Sequence, residues 1–366
     1  MKKYSFLFSL VIVALAAVGC SKWTETERLT YDNQDVQKLV YLIEAQKESD
    51  LNPHMREYYK KLREEYRTKP RVKGFGWFGN WTGKGDNAQN YLRCLPDSVD
   101  FVSLWGTRGK LSEEQKIDLK FFQEVKGGKA LLCWIVQDLG GPLTPVGKDR
   151  IQYWKNEKGG GNFNEGVKAY ANAIADTIEK YNLDGFDIDF EPGYGHSGDL
   201  ADVSYIGDIA GDNPMQVFIE TLSARLRPKG RMLVMDGEPY YLSKETSKLV
   251  DHYIYQAYWE RSTNSVKWKI QQGDLDDWER KTIITVEFEQ TWRTGGVSGY
   301  RSVRNELNSM EGTQILDYAT FDLPSGKRIG GVGSYHMEYD YANTPEYKWL
   351  RKALYYGNQK YPGNYQ

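Results

Sequence analysis

The sequence predicts an α/β fold, a (β/α)8 TIM barrel with a helical N-terminal tether. Eight short apolar segments, at about residues 72–78, 99–105, 130–136, 185–191, 231–235, 252–258, 282–288 and 329–336, alternate with stretches of helical periodicity. Together they occupy the roughly 250 residues that eight such units require. A doubly wound sheet would need a glycine-rich phosphate loop opening a helix after one of its strands, and the sequence carries none.

Residues 1–20 read as a lipoprotein signal peptide. Lys2 and Lys3 precede an apolar run over 6–18, too short for an ordinary membrane-spanning helix. The run ends Ala17-Val18-Gly19-Cys20, which resembles a bacterial lipoprotein signal in which Cys20 is lipidated and becomes the mature N-terminus. The expected location is extracytoplasmic, on an outer membrane or cell surface through a lipid anchor; a plain secretory signal is the alternative. Residues 21–70 are polar, with helical texture around 36–45 and 55–66 separated by Asn52-Pro53. They are expected to form a tether, part of which could dock on the main domain. Residues 71–366 form the expected barrel domain. Its clearest helical patterns lie at 113–124, 167–181, 214–226 and 347–355, and the long segments 139–161, 192–213, 259–274 and 290–297 are expected to rim one opening.

The most informative stretch is Leu183-Asp184-Gly185-Phe186-Asp187-Ile188-Asp189-Phe190-Glu191-Pro192. Period-two alternation puts Phe186, Ile188 and Phe190 on one face of a strand and Asp187, Asp189 and Glu191 on the other. Neighbours in the acidic row then stand about 6–7 Å apart. Such a row is unfavourable in a purely structural strand, because the carboxylates repel one another and burial raises the cost of each charge. Catalysis explains it; a solvated sheet edge and a cation site are the alternatives, although calcium prefers carboxylates on a loop that wraps around it. Active sites of this fold gather at the C-terminal ends of the strands, which sets Glu191 at the mouth and Asp189 and Asp187 progressively deeper.

Composition narrows the partners. Lys+Arg of 48 against Asp+Glu of 50 leaves a formal charge of -2, which gives no electrostatic footprint for nucleic acid. The 27 Tyr and 11 Trp exceed what a core requires and suit the C–H faces of sugars. After Cys20 only Cys94 and Cys133 remain; no Cys/His spacing suggests a metal, and no cofactor is expected. A monomer is expected.

The segment from Asp184 to Glu191 resembles the Asp-Gly-x-Asp-x-Asp-x-Glu signature of glycoside hydrolase family 18, with every fixed position present. The resemblance extends over about residues 71–360. It implies that Glu191 is the general acid/base, that Asp189 orients the substrate's N-acetyl group, and that Asp187 supports Asp189. It also implies a retaining, substrate-assisted mechanism through an oxazolinium intermediate, a known exception to the two-carboxylate scheme. On the sixth strand, Tyr255-Gln256-Ala257-Tyr258 resembles the Gln-x-Tyr of endo-β-N-acetylglucosaminidases of the Endo-F/Endo-H type, where chitinases more usually carry Met-x-Tyr-Asp. Gln256 and Tyr258 share a face and are expected to bind substrate. The third strand lacks the Ser-x-Gly-Gly pattern common in chitinases. Tyr335 stands where the family often has Trp beneath the reacting sugar, and Trp77 and Trp105 are further wall candidates. Asp236, Glu287 and Glu289 end strands of ambiguous parity and stay outside the catalytic set. The expected substrate is an N-glycan or glycoprotein cleaved in its GlcNAc-β1,4-GlcNAc core; a chitinase-like hydrolase and a non-catalytic glycan-binding lipoprotein are the alternatives.

Overall fold

A computed structural model describes residues 36–360. Eight parallel strands close into a barrel in sequence order, with β1 paired to both β2 and β8. They are β1 (Lys73–Phe78), β2 (Val99–Leu104), β3 (Lys129–Ile135), β4 (Gly185–Phe190), β5 (Met232–Gly237), β6 (His252–Gln256), β7 (Thr282–Glu287) and β8 (Gly331–Tyr335). The helices are α1 (Val36–Glu44), α2 (Pro53–Lys61), α3 (Glu113–Glu124), α4 (Phe163–Lys180), α5 (Pro214–Leu226), α6 (Lys244–Ser247), α7 (Thr263–Ile270), α8 (Trp278–Lys281), α9 (Thr313–Ala319) and α10 (Lys348–Lys360).

Side-chain alternation divides the apolar residues into two cores. Phe186, Ile188 and Phe190 of β4 point outward and are fully buried against the helix ring, beside Ile174, Phe218 and Leu222. Each contributes roughly 1.5–3 kcal/mol by leaving water. The barrel interior is filled by Phe75, Trp77, Phe101, Leu131, Cys133, Val234, Ile254 and Ile283. Residues paired across neighbouring strands face the same side, so the pairs Cys133–Asp187, Ile135–Asp189 and Asp189–Asp236 carry the acidic row into the interior with its partners.

Local caps fix the helix starts. Ser112 Oγ accepts a hydrogen bond from the Gln115 backbone N–H, and Gln115 Oε1 accepts one from the Ser112 backbone N–H, closing a capping box on α3. Asn162 caps α4 through the Glu165 N–H, so this helix begins four residues before Val167, the first apolar residue of its periodic face. Asn213 caps α5, whose first residue is Pro214.

Residues 36–66 lie docked on the barrel domain, the arrangement the sequence allowed for part of the expected tether. Leu42, Leu51, Tyr59 and Leu62 are buried in a second cluster with Tyr91, Cys94, Phe121 and Val125 of the barrel domain. Arg63 Nη1 donates to the Val125 carbonyl at 2.6 Å, and the Tyr58 hydroxyl donates to Asp97 at 2.9 Å. This segment is a docked layer, held because its apolar side chains lose contact with water only against α3 and the turns over 88–94. The signal region, Cys20 and residues 21–35 of the expected tether lie outside the described residues. Among the described residues no helix is long and apolar enough to cross a membrane. Cys94 and Cys133 are both buried free thiols.

Candidate active site

The acidic row of β4 rises from the barrel interior into a cleft lined by Trp77, Trp105, Ile135, Asp189, Glu191, His196, Gln256, Tyr258 and Tyr335. These residues come from the C-terminal ends of β1, β2, β3, β4, β6 and β8 and from the turn after β4. The cavity is about 200 Å³, below the roughly 300–1,000 Å³ that encloses a drug-sized ligand.

Asp187 is the deepest member. It is fully buried and accepts a hydrogen bond from Ser103 Oγ at 2.5 Å. Burial pushes its carboxyl up to about 6, with Ser103 pulling in the opposite direction. Asp236 of β5 is fully buried beside it, and single donor atoms of Cys133, Asp187 and Asp236 lie within 4.8 Å of one another. Burial first, then the charges of Asp187 and Asp189, hold Asp236 well above the usual carboxylate range. Adjacent buried carboxyls cannot all ionise, so the group retains protons. Three donors also fall short of the six to eight oxygens that calcium takes.

Asp189 is 4 % exposed, and its carboxyl is raised well above its ordinary value by burial, then by Glu191 and Asp187. Glu191, the residue following β4, is partly open to the cleft, its side chain 17 % exposed. Burial raises its carboxyl, and His196 acts against that rise. At this position a carboxyl is protonated at a higher pH than a surface glutamate and still reaches a ligand, which is what general acid chemistry needs. Gly193 lies against Glu238: its N–H donates to Glu238 Oε2 at 2.5 Å, and a side-chain carbon on Gly193 would stand 2.4 Å from Glu238 Oε1.

Gln256 and Tyr258, at and just beyond the end of β6, line the cleft beside β5. Gln256 Nε2 donates to Asp236 Oδ1 at 2.7 Å, which ties the wall to the acidic group. The Tyr258 hydroxyl is held well above its usual range by burial, then by Asp236, Asp189 and Glu191, so it remains a donor. The floor is aromatic: the Tyr335 ring centroid lies 5.8 Å from Tyr258, 6.2 Å from Trp77 and 6.0 Å from Trp105. Trp77 is 2 % exposed and supports this floor from below.

All seven residues expected to form the site, Asp187, Asp189, Glu191, Gln256, Tyr258, Tyr335 and Trp77, therefore gather around the cleft, six lining it and Asp187 beneath. Sequence reasoning missed Ser103, His196 and Glu238, and left Asp236 aside; the Asp189–Asp236 pairing settles its parity. Glu287 faces the interior but accepts the Gln290 N–H at 3.0 Å, holding its own loop.

The family described as glycoside hydrolase family 18, BT1044-like, matches residues 40–355. A solved structure of BT1044 carrying a glutamate-to-glutamine substitution is 76% identical; the match covers 89% of this chain and 99% of that chain, with a TM-score of 0.85. An endo-β-N-acetylglucosaminidase from Cordyceps militaris in apo form is 17% identical, with coverage of 86% and 99% and a TM-score of 0.56. An Asp-to-Asn, Glu-to-Gln double mutant of that enzyme, in complex with fucosyl-N-acetylglucosamine-Asn, is also 17% identical with the same coverage and a TM-score of 0.54. At such identity these two share the fold. No curated protein matches the chain.

Proposed function

The chain belongs to glycoside hydrolase family 18, and from that premise we propose that it is an endo-β-N-acetylglucosaminidase cleaving the GlcNAc-β1,4-GlcNAc core of N-glycans with retention. We propose further that it is a lipoprotein anchored outside the cytoplasm through Cys20. One observation carries the enzymatic reading: Glu191 and Asp189 open on a cleft whose wall includes Gln256 and Tyr258. That wall matches the endo-glycosidase pattern, and the Glu191 side chain is open to the cleft.

In this reading the Glu191 carboxyl gives its proton to the glycosidic oxygen while the oxygen of the substrate's 2-acetamido group attacks C1. The C1–O bond to the leaving sugar breaks and an oxazolinium ring forms. Asp189 accepts the amide N–H and balances its growing positive charge; the Tyr258 hydroxyl donates to the acetamido oxygen. The Glu191 carboxylate then takes a proton from the water that attacks C1, the ring reopens, and configuration at C1 is retained after two inversions. A protein nucleophile is not required. Asp189 and Glu191 are the carboxylates lining the cleft, and in this reading both are already engaged, one at the amide N–H and the other at the glycosidic oxygen. Asp187 and Asp236 below it act on its orientation and charge.

The test is mass spectrometry of glycans released from high-mannose and complex glycoproteins, run beside chitooligosaccharides. The expected product is a free glycan ending in one GlcNAc, with one GlcNAc left on the protein. Glu191→Gln should lower turnover roughly 10²–10⁴-fold with unchanged melting. Cleavage of chitooligosaccharides alone would replace this reading with a chitinase; glycan binding with no release would replace it with a binding protein.

A further inference from the structure

The turn after β4 brings a histidine back to the acid. Glu191 is followed by Pro192-Gly193-Tyr194-Gly195-His196, and the backbone N–H groups of Tyr194 and His196 both donate to the Glu191 carbonyl, at 3.0 and 3.2 Å. Gly195, at φ +100°, takes the left-handed conformation this return requires. The His196 ring thereby lines the cleft, with Nε2 3.7 Å from Glu191 Oε2. Its Nδ1 is buried and has no hydrogen-bond partner among the described residues; carboxylate oxygens of Asp189 and Glu191 both lie within 4.8 Å of a ring nitrogen, and Glu191 is the one within ion-pair distance.

We propose that His196 is a positioning residue for Glu191: the Gly195 turn returns its ring to the acid, where the protonated ring stabilises the carboxylate left after proton transfer and sets the pH range of the acid. This rests on Glu191 being the proton donor. The other groups facing Glu191 are Asp189 on its own strand, Asp236 and Glu238 from β5 and the residue after it, Tyr258 beyond β6, and Lys269 on α7. Burial and these carboxyls favour the protonated acid, and among the groups that oppose them His196 acts most strongly. Lys269 is drawn elsewhere: its Nζ lies 3.2 Å from the Tyr194 hydroxyl and 4.0 Å from Glu260. Glu238 is held in place by the Gly193 N–H and the Tyr240 hydroxyl, so the turn carries His196 to the acid and also anchors a carboxyl group that follows β5.

An infrared titration of the carboxylic C=O band in the full chain, with Glu191→Gln subtracted, reads Glu191 without any substrate. An opposite charge within ~4–6 Å shifts a carboxyl by 1–3 pH units; His196→Gln should therefore raise the Glu191 midpoint by about one unit or more. The alkaline limb of kcat on a glycoprotein should rise with it. Gly195→Ala should move the midpoint the same way, and His196→Arg, which keeps the charge, should leave it near that of the unsubstituted chain. An unchanged midpoint in His196→Gln overturns the proposal. If the midpoint moves but the unsubstituted chain releases no glycan, the pairing stands and the endo-glycosidase reading falls. If glycan is released and the midpoint stays, the pairing alone falls.

Discussion

At the scale of single residues, the acids beneath the cleft work against the fold at neutral pH. The Asp187 carboxyl is pushed up to about 6 by burial, and Asp236 is raised well above its ordinary value by burial and then by Asp187. Between the ordinary carboxylate range and these raised values, the folded chain holds protons that the unfolded chain has released. Unfolding free energy therefore falls as pH rises through that window, and the protonated acids are least harmful below it. Asp236→Asn keeps the oxygen that accepts from Gln256 Nε2 and has no charge to strip of water. It should raise Tm over the unsubstituted chain more at pH 8 than at pH 4. Equal gains at both values in a calorimetric comparison would show that the group holds no extra proton in the folded state.

At the scale of elements, the N-terminal layer behaves as part of the domain. Leu62 is 1 % exposed and packs with Tyr59, Phe121 and Val125, so Leu62→Ala should cost about 2–5 kcal/mol in urea unfolding. A loss below ~0.5 kcal/mol would mean that the layer is detached in solution. Its helices are legible in the sequence, since α2 runs from Pro53 behind the Asn52 cap. Its docking is not, because the apolar partners sit on α3 and in the turns over 88–94 and leave no periodic mark within residues 36–66. Where caps coincide with the apolar pattern, as at Glu113–Glu124 and Pro214–Leu226, boundaries read from the sequence agree with the structure. Where the cap precedes the pattern, at Asn162, the helix starts early.

At the scale of the whole molecule, the closed barrel turns local alternation into a site. The acidic row is legible because β4 alternates strictly between apolar and acidic residues. The contribution of β5 is not legible: Met232 and Val234 face inward while Leu233 and Met235 face outward, so both faces of that strand read as apolar, and only pairing with β4 turns Asp236 inward. His196 escapes notice because a lone histidine in a loop acquires its meaning from the turn that returns it. The same closure leaves large aromatic side chains exposed in the loops that follow β4 and β6, Tyr194 at 67% and Trp259 at 53%. Trp259 directly follows Tyr258 of the cleft wall, and under the proposed reading the cavity of about 200 Å³ would enclose only part of an extended glycan, so the exposed indole offers a flat face for sugars beyond the cleft. Such stacking is worth about 1 kcal/mol and acts equally on the ground and transition states, which places its effect on KM and not on kcat. Trp259→Ala should therefore raise KM for an intact glycoprotein about five- to tenfold at constant kcat. Its melting should be unchanged, because truncating a half-exposed side chain leaves no cavity in the core. Michaelis–Menten analysis of glycan release checks this: a fall in kcat at constant KM would move Trp259 from the binding rim to the reacting centre.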